Sequence, residues 1–419
     1  MSWRALAAAC VLKLCLGITV FAQTGGFDPV ARELGGMRGA LIGAASEEVA
    51  KNGEGSTIRL KDGSLLHLFS RHLRPDDPGK YDGPDLWPAV IAQIRSRDGG
   101  RSWSEPKVLF RSTTGHNAMQ PSLARMANGE IGVTYSRIDS LSRATKVFRY
   151  SKDEGGSWSD ELLISPDGAY WTGAHDRLVT LSNGRLLYPL HTKLGVRPEE
   201  MATRIVYSDD HGRSWKLSDQ TVRLTDAIPE FMAKYGKRYK AGFWEASIAE
   251  RADGSLLMIG RTYGGYLYSC VSTDKGLIWS RPEPTPLMSS AAPGRLERVP
   301  GTNDLLVVWN SCCLKPEHNL LGDRITLSAA ISSDGGKSWR WRRVIEDITP
   351  GAINRVEYPA INIYDGVVYI TYRAARVAQS DRDRRTLQMQ EYLSILPLAW
   401  FYAERDFHRP EAVKTVQSK

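Results

Sequence analysis

The stretch SRDGGRSW, Ser96 to Trp103, decides how this chain is read. It returns as SKDEGGSW from Ser151, SDDHGRSW from Ser208, STDKGLIW from Ser272 and SSDGGKSW from Ser332, with starts 55, 57, 64 and 60 residues apart. A phrase recurring at such intervals marks a repeat architecture. Each copy reads as a tight turn. The Asp accepts hydrogen bonds from nearby backbone N–H groups, a Gly supplies a conformation closed to other residues, and the Trp pins the turn to apolar surface.

Outward from these turns, a second phrase interleaves with the first. Asp62-Gly63, Asn128-Gly129, Asn183-Gly184, Asp253-Gly254, the segment Gly301 to Asp304, and Asp365-Gly366 each break a β-rich apolar run. Such breaks are the strongest short-range hairpin signal. Six hairpins, the first five each followed by one repeated turn, imply an all-β, six-bladed β-propeller of four-stranded antiparallel blades. The sixth unit has no such turn. Its outer part must come from the tail after Arg373 or from the N-terminal segment.

Length and charge fit one repeat domain. Without a leader, the 419-residue chain leaves about 66 residues for each of six blades. A content of 42% hydrophobic residues, with 38 Gly and 12 Trp, is that of a globular β protein. The formal charge of +8 is spread over 55 basic and 47 acidic residues with no long basic run. Nucleic acid is therefore not implied, whereas a cationic cleft for an acidic sugar fits the same balance.

Residues 1–23, MSWRALAAACVLKLCLGITVFAQ, read as a signal peptide, although Lys13 interrupts the apolar run. The mature protein is expected to be secreted or periplasmic without stable membrane insertion, with a propeller over 24–405 and a tail over 406–419. Cys10 and Cys15 leave with the leader. Cys270, Cys312 and Cys313 have no metal-type spacing and need no disulfide framework, so neither metal nor cofactor is expected. Two long loops, 71–88 and 217–244, lie where chemistry tends to sit, the second with a short helix expected around Glu230 to Tyr235.

Five such turns on six blades resemble the sialidase (neuraminidase) superfamily, in which the turns are called Asp boxes and are structural. The resemblance covers essentially all of the mature chain. It implies an exo-glycosidase that releases terminal acidic sugars from a glycan substrate. Glu245 and Arg261 stand at the start and end of the hairpin WEASIAERADGSLLMIGR, where the family carries a Glu and an Arg. Arg324, eight residues before Ser332, matches another substrate-binding Arg, and Tyr358 in VEYPAINIYDG matches the nucleophile. Asp85, eleven residues before Ser96, lies near the acid/base Asp, with Asp82, Asp77 and Asp76 as competitors.

The implied chemistry explains these residue types. A keto-sugar with a carboxylate on its anomeric carbon repels a carboxylate nucleophile, and a neutral phenol avoids that repulsion. Tyr358 would attack, Glu245 would take its proton, and Asp85 would protonate the leaving oxygen and then activate water. Arg261 and Arg324 would clamp the substrate carboxylate.

One departure stands out. The family's first clamp Arg precedes the first hairpin turn, where this chain has Gly53 and Glu54, and Arg59 is too near the turn to replace it. Either Arg71 supplies the charge, or Glu54 faces the centre and the substrate is not an ordinary sialic acid. His175, Arg177, Asn117, Gln120 and His191 are further polar residues expected near inner strand ends. Two other readings remain open: different chemistry on an acidic glycan, including lyase cleavage, and glycan binding without catalysis.

Overall fold

The computed structural model describes residues 36–81, 84–195, 200–224, 242–311, 324–347, 355–376 and 388–403. The expected leader, the helix expected around Glu230 to Tyr235, and Asp82, Cys312 and Cys313 lie outside these residues.

Each of the six turn segments picked from the sequence joins two antiparallel strands. The pairs are Val49–Arg59 with Leu65–Leu73, Ala118–Arg125 with Ile131–Ile138, and Val179–Thr180 with Leu186–Leu194. They continue as Trp244–Glu250 with Leu256–Arg261, Arg295–Arg298 with Leu305–Asn310, and Arg355–Tyr364 with Val367–Arg376. Further antiparallel strands extend every pair outward. Strands are buried on both faces because neighbouring modules pack face to face. Ile58, Leu66, Leu68 and Ile91 of the first module meet Leu123, Ile131, Val133 and Tyr135 of the second in one apolar cluster.

Six separate four-stranded sheets, the sequence expectation, are not what the hydrogen bonds form. They define five sheets: three of four strands, one of five and one of eight. The five-stranded sheet arises because both Trp171–Thr172 and Val179–Thr180 pair with Leu186–Leu194. The eight-stranded sheet arises where the two ends of the chain meet. Gln388–Pro397 pairs with Val367–Arg376 on one side and with Met37–Gly43 on the other, and a parallel bridge between Lys51 and Met389 joins it to the first hairpin. Tail and N-terminal segment thus both complete the last module, where the sequence had left a choice between them. The short helix Leu398–Tyr402 buries Trp400 and Phe401 against it.

The repeated turns share one hydrogen-bond pattern. In the first, Ser96 Oγ donates to Asp98 and accepts from Gly100 N, while Asp98 accepts from Ser102 N at 2.9 Å and Ser102 Oγ at 2.6 Å. Gly100 has φ +91°, and a Cβ there would meet Ile395 at 3.0 Å, so the glycine is needed twice over. The fourth turn has Ile278 in the place of the second Ser, and Asp274 keeps only the backbone donors and Ser272.

A second repeated device lies on the first strand of the hairpins. Glu54, Gln120, Glu245 and Tyr358 have φ of 57°, 61°, 48° and 57°. Each sits where the pairing register breaks, between Gly53 and Ser56, Met119 and Ser122, Trp244 and Ser247, and Glu357 and Ala360. These are β-bulges, which re-aim a side chain at a cost of roughly 1–3 kcal/mol for a strained non-glycine residue. The residue two positions on is small, and three times it is a serine bonded to the next module. Ser56 Oγ accepts from Leu123 N, Ser122 Oγ from Leu178 N, and Ser247 Oγ from Leu296 N. Asp176, also at positive φ (53°), accepts from Ser56 Oγ at 2.8 Å, Arg295 Nε at 2.7 Å and Ile361 N at 3.2 Å. The first strands pack on one another around a common axis, and Asp176 ties several of them there.

Candidate active site

Two of the bulges aim buried side chains at each other. Tyr358 Oη donates to Glu245 Oε1 at 3.0 Å. Arg261, at the end of the strand beside Glu245, donates Nη1 to Glu245 Oε2 at 2.7 Å and lies 3.4 Å from Tyr358 Oη. Its guanidinium rests 4.8 Å from the centroid of the Trp244 ring. The Arg324 guanidinium stands 5.3 Å from the centroid of the Tyr358 ring and donates to Ala291 O at 2.8 Å and to Glu357. Four residues chosen from three distant hairpins thus form one cluster.

The electrostatics set the resting protonation states of the pair, a neutral phenol beside an ionised carboxylate. Burial pushes the Glu245 carboxyl up, but Arg261, His191 and Arg324 more than offset this and hold it below its ordinary value. Glu245 is therefore an anion able to accept. Burial, and then the Glu245 charge, push the Tyr358 phenol well up, against the pull of Arg261 and Arg324. Tyr358 keeps its proton until it reacts. His175 lies with its ring centroid 5.8 Å from that of Tyr358; burial, Arg177 and Arg373 push it well down, so it is neutral. Burial likewise brings His191 down to about 4.

Asp85 sits on the short 3-10 turn Pro84–Leu86, fixed by Asn117, whose Nδ2 donates to Asp85 O at 3.0 Å and Trp87 O at 2.8 Å. Its side chain is 77% exposed and pairs with the buried Lys51, whose ammonium holds the carboxyl well below the usual range. Asp77, a competitor, caps the turn Pro78–Lys80 by accepting from Gly79 N at 3.0 Å. Asp76 is exposed beside it.

Glu54 is buried and faces the axis, one of the two outcomes left open by the sequence. It pairs with Arg373, a residue that sequence reasoning missed. Glu357, also missed, accepts from Arg324, from Arg355 at 2.7 Å and from Arg373 at 2.7 Å. Burial would raise its carboxyl, but the three guanidiniums pull it well below its ordinary value. A signal was there. Counting back across the Asp365-Gly366 turn sets Arg373 opposite Tyr358, and the bulge at Tyr358 moves the pairing to Glu357.

Other expected residues lie elsewhere. Arg71 stands opposite Asn52 and bonds to none of this cluster among the described residues. Arg177 is fully buried and bonds to the carbonyls of Gly294 and Asp176; burial and Arg295 bring it down to about 10. Gln120 Oε1 accepts from Thr172 at 2.9 Å and Ser136 at 3.1 Å. A separate cavity of about 580 Å³ opens toward the far ends of the first strands, lined in part by Arg59, Arg125, Asp176 and Glu297, and excludes Tyr358. Among the described residues, no group of three or more His, Cys, Asp or Glu could hold a metal ion. No helix among them is long and apolar enough to cross a membrane.

An all-β, propeller-like stack of antiparallel sheets with a Tyr–Glu–Arg cluster at its axis defines the class. Residues 85–370 match the model of the BNR repeat-like domain, and the chain belongs to that family, within the sialidase superfamily. The anhydrosialidase of Macrobdella decora is 32% identical over 156 residues, which is 35% of this chain and 18% of that one. The matched part therefore spans less than a fifth of that relative's length. Among solved structures, a protein of unknown function from Dyadobacter fermentans superposes with a TM-score of 0.67 at 19% identity, covering 86% of this chain and 98% of that one. A leech intramolecular trans-sialidase bound to 2,7-anhydro-Neu5Ac gives 0.62 at 16% identity, over 87% and 71%. These structural likenesses bear on the fold alone.

Proposed function

We propose that this protein is an exported, sialidase-type exo-glycosidase that removes terminal acidic sugars from glycans. The observation that carries this reading is the 3.0 Å hydrogen bond from the Tyr358 phenol to the ionised Glu245, with two arginines beside it. Tyr358 Oη attacks the anomeric carbon while its proton passes to Glu245. The bond to the leaving oxygen breaks, and Asp85 supplies the proton that oxygen takes. In the second half, Asp85 takes a proton from water, the water oxygen bonds to the anomeric carbon as the bond from that carbon to Tyr358 Oη breaks, and Glu245 returns its proton to the Tyr358 oxygen. In the free site Lys51 keeps Asp85 ionised, the form the second half needs. Donation in the first half requires Lys51 to be drawn away by the substrate.

Three finer points belong to the same proposal. The ring counts six blades, each half of the eight-stranded sheet being one blade latched to the other by the Lys51–Met389 bridge. Residues 1–23 direct export. The five outer turns are Asp boxes with no part in the chemistry.

The name of the Macrobdella decora relative favours a second product. If a hydroxyl of the same sugar replaces water at the anomeric carbon, a 2,7-anhydro sugar leaves in place of the free one. The test is a panel of sialosides with both products measured by mass. Wild-type protein should release one of them, and Tyr358→Phe should lower turnover by ~10³-fold or more with an unchanged melting temperature. Undiminished release by the Phe variant overturns the assignment.

A further inference from the structure

Glu54 is a puzzle if the site binds a carboxylate. A buried anion near the axis should repel the substrate, and Lys51, the buried cation of Val49–Arg59, is paired with Asp85. Yet Glu54 does not face the site as a free charge. Arg373 spans from Glu54 to Glu357, donating Nε to Glu357 Oε1 at 2.7 Å and Nη1 to Glu54, and its guanidinium lies 4.1 Å from the centroid of the Tyr358 ring. By that measure it is nearer the phenol than Arg324 is, at 5.3 Å.

The backbone is built to let it in. Gly53 has φ +151°, and a Cβ there would stand 2.8 Å from Arg373 Cβ and 2.9 Å from its Cδ. Any other residue at 53 would displace Arg373. Where the first strand lacks the clamp arginine, it thus carries a glycine that admits one from the last hairpin and a glutamate that holds it. Including Lys51 and Arg355, the ion pairs here set five cations against four carboxylates, Glu54, Asp85, Glu245 and Glu357. The surplus of one positive charge matches a single substrate carboxylate.

We infer that Arg373 is the third cation of the carboxylate site and that Glu54 is its positioning residue. The charge missing from the first hairpin is restored from the last. The inference rests on the proposed sialidase reading and sharpens it: Glu54 does not exclude ordinary sialic acid, because Arg373 neutralises it.

The experiment compares wild-type protein, Arg373→Gln, Arg373→Glu and the exchanged double variant Glu54→Arg/Arg373→Glu. Each is assayed on a sialoside and on its neutral methyl ester. Arg373→Gln should raise KM for the acidic sialoside roughly 30- to 100-fold, with a much smaller change in kcat and for the ester. The exchanged variant keeps both charges and should regain at least tenfold in KM over Arg373→Glu. Because it retains the pair, it reads out even if a single variant fails to fold. A lowered melting temperature with unchanged KM in Arg373→Gln, or an exchanged variant no better than Arg373→Glu, makes the pair a latch between the chain ends and overturns the inference. Absence of sialoside cleavage by the wild-type protein instead rejects the sialidase reading itself.

Discussion

The outer turns and the axial bulges are both repeated backbone devices, but only the turns repeat their side chains. Ser96, Asp98, Gly100 and Trp103 recur with small changes in five places, and each time the glycine N–H donates to the first serine Oγ. The bulges repeat a left-handed residue, yet that residue is Glu54, Gln120, Glu245 or Tyr358. Where geometry and chemistry recur together, the fold is being held. Where geometry recurs and chemistry varies, one scaffold delivers unlike groups to one place. The second pattern is what a site assembled from several hairpins requires.

Stability should divide along the same line. Asp176→Ala removes the carboxylate that accepts from Ser56, Arg295 and Ile361 at the axis, and leaves buried Arg295 with one carboxylate, Glu297, among the described residues. It should cost on the order of 3 kcal/mol in a urea titration. A loss below about 1 kcal/mol would mean that the axis is not held by this residue.

An outer turn should matter less, and in a pH-dependent way. Asp98→Ala loses the bonds from Ser102 and Ser96 and should cost about 1–2 kcal/mol at neutral pH, with kcat/KM unchanged. Hydrogen bonds from Ser102 outweigh partial burial and bring Asp98 from its ordinary 3.8 down to about 2. The folded value is the lower one, so the contribution is complete above about pH 4 and is lost as the pH falls toward 2. The gap between wild type and variant should close across that window. A gap that stays constant would show that the ionised form is not what the turn uses.

How much could be read in advance follows from the same comparison. Five of the six hairpins were legible because Asp-Gly or Asn-Gly fixes a turn locally, and the fifth in order by the turn residues Gly301 to Asp304. The grouping into five sheets was not, since the Lys51–Met389 bridge joins segments more than three hundred residues apart. Tyr358, Glu245, Arg261 and Arg324 were singled out by matching the sialidase motif places around the turns, and the structure brings them into one cluster. Arg373 was missed because its meaning lies in a partner, Glu54, on the opposite end of the sequence. Glu54 itself was seen without its partner for the same reason: a lone carboxylate in sequence is a paired one in space. Arg71, the other cation that position along the chain suggested, stands opposite Asn52.

The central claim is that Tyr358 forms a bond to the sugar. A 2,3-difluorosialic acid tests it most directly, because fluoride leaves readily while the second fluorine slows release of the covalent intermediate. After brief incubation, intact mass and peptide mapping should show one sugar on the peptide containing Tyr358, and none on the Tyr358→Phe variant. An adduct on another residue, or no adduct on protein that turns over sialosides, would contradict the account.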